Sequence, residues 1–110
     1  MKIVLNKCYG GFKVTKHQAE LLGYEWKQFP NAMRSAFASR LKIDDGYAEG
    51  ANEDKDRVNP ILIESVERGD PSSWASDLYV YEIPDGAHWV ISNYDGVETL
   101  YWSLSEINEA

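Results

Sequence analysis

Between H-W-V-I-S-N-Y at residues 88–94 and V-E-T-L-Y-W-S-L at residues 97–104 stand only Asp95 and Gly96. An Asp-Gly pair between two aromatic and β-branched runs is among the strongest short-range hairpin signals, because the matching two-residue turn needs positive φ at both positions. The C-terminal third is therefore built of antiparallel strands. A third run, L-Y-V-Y-E-I at residues 78–83, precedes it across Pro84-Asp85-Gly86, and the three together predict a three-stranded antiparallel meander.

Upstream, K-I-V-L-N-K-C at residues 2–8 reads as a strand closed by Tyr9-Gly10-Gly11. Thr15 and Gln18 have capping-box spacing, which predicts a helix over about 16–22 with Ala19, Leu21 and Leu22 inward and Gly23 as its stop. Pro30 interrupts the next stretch, after which Ala32, Met33, Ala36, Phe37 and Leu41 recur at three- and four-residue spacing and predict a helix at about 31–41. Residues 43–58 carry six carboxylates and two glycines with little apolar content, the pattern of an exposed acidic loop. Pro60 then opens a third helix with Ile61, Leu62, Ile63 and Val66 as its apolar face, ending near Gly69-Asp70-Pro71. The order is that of an α+β fold in one domain, residues 1–110, with helices on one face of a mainly antiparallel four-stranded sheet. How the N-terminal strand joins that sheet is open.

A chain of 110 residues, 44% hydrophobic and with four tryptophans, is enough for one packed core. Its formal charge of −7 argues against nucleic-acid binding through a general electrostatic field. The charge is uneven: residues 1–19 hold Lys2, Lys7, Lys13 and Lys16 and no carboxylate, so a small basic end faces an acidic body. A lone cysteine and no secretion-type leader point to the cytosol. The longest apolar run, Leu78 to Tyr81, is far below the roughly 20 residues of a membrane span.

Chemistry-bearing constellations are sparse. Cys8 with His17 or His88 is a conceivable thiolate and imidazole pair, although a cysteine ending a strand is ordinarily a small buried apolar residue. One cysteine and two distant histidines give no zinc spacing, and Asp44 to Asp56 do not fit a calcium-loop register, so no metal or cofactor is expected. The best ligand candidate is the strand-to-helix turn: Gly10, Gly11, Lys13, Thr15 and Lys16 have the local pattern that receives a nucleotide or phosphate on free amides. The competing reading is a tight glycine turn with Phe12 plugging the core. Aromatic residues Tyr79, Tyr81, Trp89, Tyr94, Tyr101 and Trp102 crowd the meander, but residues 78–110 contain no Lys or Arg to accompany base stacking. Core filling is the expected use; any left exposed would mark a protein partner.

N-K-C-Y-G-G-F at residues 6–12 and E-I-P-D-G-x-x-W-x-I-x-x-Y-D-G at residues 82–96 resemble a group of small bacteriophage and prophage proteins with no assigned enzymatic activity. The two motifs span about a fifth of the chain, and N-P-I-L-I-E-S-V-E is similar too. The group continues after C-Y-G-G-F with Gly-Leu-Ser or similar, where this chain has Lys13-Val14-Thr15. The resemblance implies a phage or prophage origin and action in the cytoplasm of a bacterial host. It carries over no catalytic residue.

These readings favour a non-enzymatic protein that binds and modulates or inhibits a host factor, including a defence component. Asp44, Asp45, Glu49, Glu53, Asp54 and Asp56 are the candidate contacts for a basic groove. The alternative is a small-ligand binder that sequesters a nucleotide or phosphate compound at the glycine turn. Dimerisation through an unsatisfied sheet edge is left open.

Overall fold

The structure is a computed structural model, and it describes residues 1–9, 11–28, 46–73 and 76–105. In chain order the elements are β1 (Lys2–Asn6), α1 (Lys16–Leu22), β2 (Trp26–Gln28), β3 (Gly46–Ala48), α2 (Asp54–Arg57), α3 (Pro60–Glu67), β4 (Leu78–Glu82), β5 (His88–Tyr94) and β6 (Val97–Ser103). The expected helix at 31–41 and the positions Gly10, Asp44 and Asp45 lie outside the described residues.

The fold is α+β, but among the described residues the strands form three antiparallel pairs, β1 with β4, β2 with β3 and β5 with β6, rather than the expected meander in a four-stranded sheet. The partner of β4 is the N-terminal strand, in a register running from Lys2 opposite Glu82 to Asn6 opposite Leu78. The reason lies in the link after β4. Ile83 and Ala87 are both buried, so Pro84-Asp85-Gly86 carries the chain across from one layer to the next instead of folding it back as a hairpin.

Three layers result. Val4, Leu78 and Val80, on one face of the β1–β4 ribbon, meet Ala19 of α1 and Leu62 of α3 together with Phe12 and Val14. Ile3, Leu5 and Tyr79, on the other face, meet Trp89, Ile91 and Leu100 of the β5–β6 hairpin. Helices therefore cover one face of the ribbon and the hairpin covers the other. Burial on both faces explains why Ile3, Val4 and Leu5 form an unbroken apolar run with 0% exposure each, where a one-sided strand would alternate.

Local chemistry sets the helix ends. The Thr15 hydroxyl accepts from the Gln18 amide, and the Gln18 side chain accepts the Thr15 N–H, completing the capping box. Gly23 closes α1 in the left-handed region. Asn59 caps α3 by accepting the Ile61 amide, with Pro60 in the first turn. Two expected inward positions are corrected: Leu21 and Ile61 are exposed, and their places in the interface are taken by buried Gln18 and Ser65, which bond each other.

The segment expected to be an exposed acidic loop is largely structured. Gly46–Ala48 pairs with Trp26–Gln28, Asp54–Arg57 forms a helical turn, and Ala51, Asp56 and Arg57 are buried. Gly46 is required there, because a Cβ would fall about 2.6 Å from the Trp26 indole nitrogen that covers it.

Candidate functional site

The turn after β1 is held by one side chain. Asn6 is fully buried; its amide nitrogen donates to the carbonyls of Cys8 (2.6 Å) and Gly96 (2.7 Å). Its oxygen accepts the N–H groups of Cys8 (3.3 Å) and Asp77 (2.8 Å). All four hydrogen-bonding positions of the amide are used, which is what allows it to be buried at all. Gly11 adopts φ +90°, donates to the Cys8 carbonyl and accepts from the Ser76 hydroxyl at 2.6 Å.

The hairpin turn docks directly on this one. Asp95 and Gly96 have φ of 51° and 95°, the type I′ pattern, and a Cβ on Gly96 would fall within 2.5 Å of the Tyr9 carbonyl oxygen. The two glycine-bearing turns, 85 residues apart, therefore meet backbone to backbone.

Beside them lies a buried ion pair. Glu98 takes a two-pronged contact from Arg57, at 2.7 Å and 2.5 Å, and also accepts the Asn6 backbone N–H at 2.8 Å. Arg57 further donates to the carbonyls of Asn52 and Val4, and its guanidinium stacks 4.1 Å from the centre of the Phe12 ring. Met1 and Lys7 bond to Ile83 and Asp77, the residues flanking β4, so strand alternation aims Val4 C=O and Asn6 N–H at the opposite edge of β1. The carboxylate and the guanidinium there take the place of a missing neighbour strand.

The described residues of the predicted anion site are placed as follows. Gly11 is spent on the turn, the Thr15 hydroxyl is spent on its own helix, and Phe12 is a core residue. Lys16 is exposed on α1. Lys13 lines a cleft of about 280 Å³ with Phe12, Val14, Tyr47, Asn52 and Ser73. The structure thus brings Lys13 together with the acidic segment rather than with an open amide nest.

Of the acidic candidates, Asp56 points inward, accepting the Tyr24 hydroxyl at 2.5 Å and the Glu53 N–H at 3.1 Å. Glu49 is bound by Lys27 at 2.5 Å, which holds its carboxyl below the usual range. Glu53 and Asp54 are exposed. Only part of that set is open to solvent.

The Asp56 contact has a pH signature. Hydrogen bonding to Asp56, then burial, pushes the Tyr24 phenol up from its ordinary value near 10 to about 12. A folded-state value above the unfolded one means stabilisation fully present below about pH 10 and lost as pH rises through about 12. Comparing melting temperatures over that window, we expect the advantage of the native chain over Tyr24→Phe to shrink toward zero. A constant difference would show that the phenol proton is not what the bond depends on.

Possible catalytic groups are similarly committed. Ser65, Asp70 and His17 come together, but Ser65 is fully buried and donates straight to Asp70 at 2.8 Å, while His17 lies 3.8 Å from the same carboxylate and contacts Arg68. Bonding from Arg68 and then Ser65 holds the Asp70 carboxyl below its usual range. The trio pins α1 to α3, with no imidazole on the serine. Cys8 is half-buried, and His88 sits at the far end of β5 from the turn that touches Tyr9, about 20 Å along the strand. Among the described residues no group of three or more His, Cys, Asp or Glu could hold a metal ion, and no helix is long and apolar enough to cross a membrane.

Among the described residues, the hairpin's outer face is left uncommitted. Strand pairing and alternation put His88, Val90, Ser92 and Tyr94 of β5 beside Val97, Thr99, Tyr101 and Ser103 of β6 on the side away from the ribbon. None of the eight is Asp, Glu, Lys or Arg. Tyr94 is 75% and Tyr101 58% exposed; Trp102, on the inner face, is 41% exposed where the hairpin runs past the core. Comparison with protein-family models, curated proteins and solved structures found no match to this chain.

Proposed function

We propose that this protein acts without catalysis, by binding and modulating or inhibiting a protein of a bacterial host through the outer face of the β5–β6 hairpin. The observation that carries this reading is an eight-residue face without Asp, Glu, Lys or Arg and with exposed tyrosines, on a chain of net charge −7. Interface centres are depleted in charge and enriched in Tyr and Trp, and those residues dominate binding energy. The exposed carboxylates Glu53 and Asp54 add an acidic field that steers a basic partner.

The test is a photo-crosslinking amino acid placed singly at Tyr101, at Thr99 and at Lys16 in bacterial cells. Adducts of the same mass at positions 101 and 99, and none at 16, are the expected result. Adducts at 16 alone, or at no position, would remove the hairpin as the contact.

One observation favours a second reading, a small-ligand binder. The cleft at Lys13 approaches the roughly 300 Å³ at which pockets for drug-sized ligands begin, and it combines an ammonium with the aromatic rings of Phe12 and Tyr47. Its occupant would be a nucleotide or phosphate compound.

A further inference from the structure

The hairpin offers an edge as well as a face. In a two-residue hairpin the residues flanking the turn form the closing hydrogen-bonded pair, here Tyr94 with Val97, and such pairs then recur at every second residue. The N–H and C=O groups of Trp89, Ile91 and Asn93 therefore point away from β6. Among the described residues β5 pairs only with β6.

The outer edge of β1 is closed by Arg57 and Glu98. Natural edge strands are commonly protected by a charge, a proline or a bulge. H-W-V-I-S-N-Y has no Lys, Arg, Asp or Glu and no proline, and it pairs with β6 in unbroken register over all seven positions.

We infer that β5 is a docking edge to which an extended, lysine- or arginine-bearing segment of a partner protein adds as a third strand. This rests on the proposed binding role and names its mode. The basic character follows from charge. Residues 76–105 contain five carboxylates and no Lys or Arg. Arg57 compensates Glu98, the N-terminal ammonium compensates Asp85 and Lys7 lies 3.8 Å from Asp77, while Glu82 and Asp95 stay exposed. Asp95 stands at one end of the β5 edge, so a basic segment laid along it gains attraction that an acidic one loses. A single added strand supplies partners for the groups at three residues, while its alternate side chains extend the hairpin's outer face.

The probe is a ten-residue, end-capped peptide of alternating Lys and Val, titrated into the full-length isotope-labelled protein and followed by amide NMR shifts. Saturable shifts at Trp89, Ile91 and Asn93 are expected, weakened by salt, lost with a Glu-Val peptide, and lost when alternate peptide amides are N-methylated. Equal binding of the Glu-Val or N-methylated peptide, or no shift in residues 88–94, would overturn strand addition. So would sedimentation showing that the free protein already pairs this edge with a second copy. If strand addition fails while crosslinks at Tyr101 and Thr99 persist, the binding face stands and only its mode falls.

Discussion

Replacing Glu98 with alanine will cost about 3–5 kcal/mol of folding stability, because it leaves the Arg57 guanidinium buried without its counter-charge. It also strips the Asn6 N–H of its acceptor and reopens the edge of β1. Against the roughly 5–15 kcal/mol that stabilise an ordinary domain, this is a large share. The melting temperature should fall on the order of 15 °C. Arg57→Met should be similarly severe, while Arg57→Met combined with Glu98→Ala should cost less than the two singles added, by about 2 kcal/mol. Chemical denaturation of the four chains measures this cycle. Strict additivity would mean that the pair is solvated and that β1 is sealed by something else.

The second large effect separates backbone conformation from contact. Gly96 and Gly86 both have positive φ, 95° and 81°, but a Cβ on Gly86 meets nothing within 4 Å, whereas one on Gly96 runs into the backbone of Tyr9 and Gly11. Gly86→Ala should therefore cost about 1 kcal/mol, the conformational strain alone. Gly96→Ala should cost roughly 2–3 kcal/mol, since two backbone segments must separate and Asn6 loses its bond to the Gly96 carbonyl. Equal costs in an equilibrium unfolding experiment would show that the two turns are not in contact.

What the sequence makes legible is local. Thr15 and Gln18, Asn59 with Pro60, and Asp95-Gly96 act within four residues of themselves, and each sets the cap or turn that its spacing implies. The pairing of β1 with β4 joins residues about 76 positions apart, and neither strand carries a mark naming the other. The meander expectation failed for that reason: Ile83 and Ala87 look like parts of a tight connection and instead fill the space between layers. Arg57 is hidden in a charged run that reads as solvated. One clue was available, because Glu98 shares a strand face with Leu100 and Trp102, and a carboxylate on an apolar face demands a cation. Asn6, ending an apolar strand, is the same kind of clue.

The central claim is that the glycine turn is spent on the fold and that the chain works by binding a protein. Its sharpest test is a thermal-shift series with nucleotides, cyclic dinucleotides and inorganic phosphate at rising concentration. A ligand that binds only the folded state raises the melting temperature in proportion to the logarithm of its excess over Kd. The account predicts no concentration-dependent shift with any of them. A shift that grows with ligand and disappears in Lys13→Glu would contradict it, and would make the cleft between Phe12 and Tyr47 the functional site.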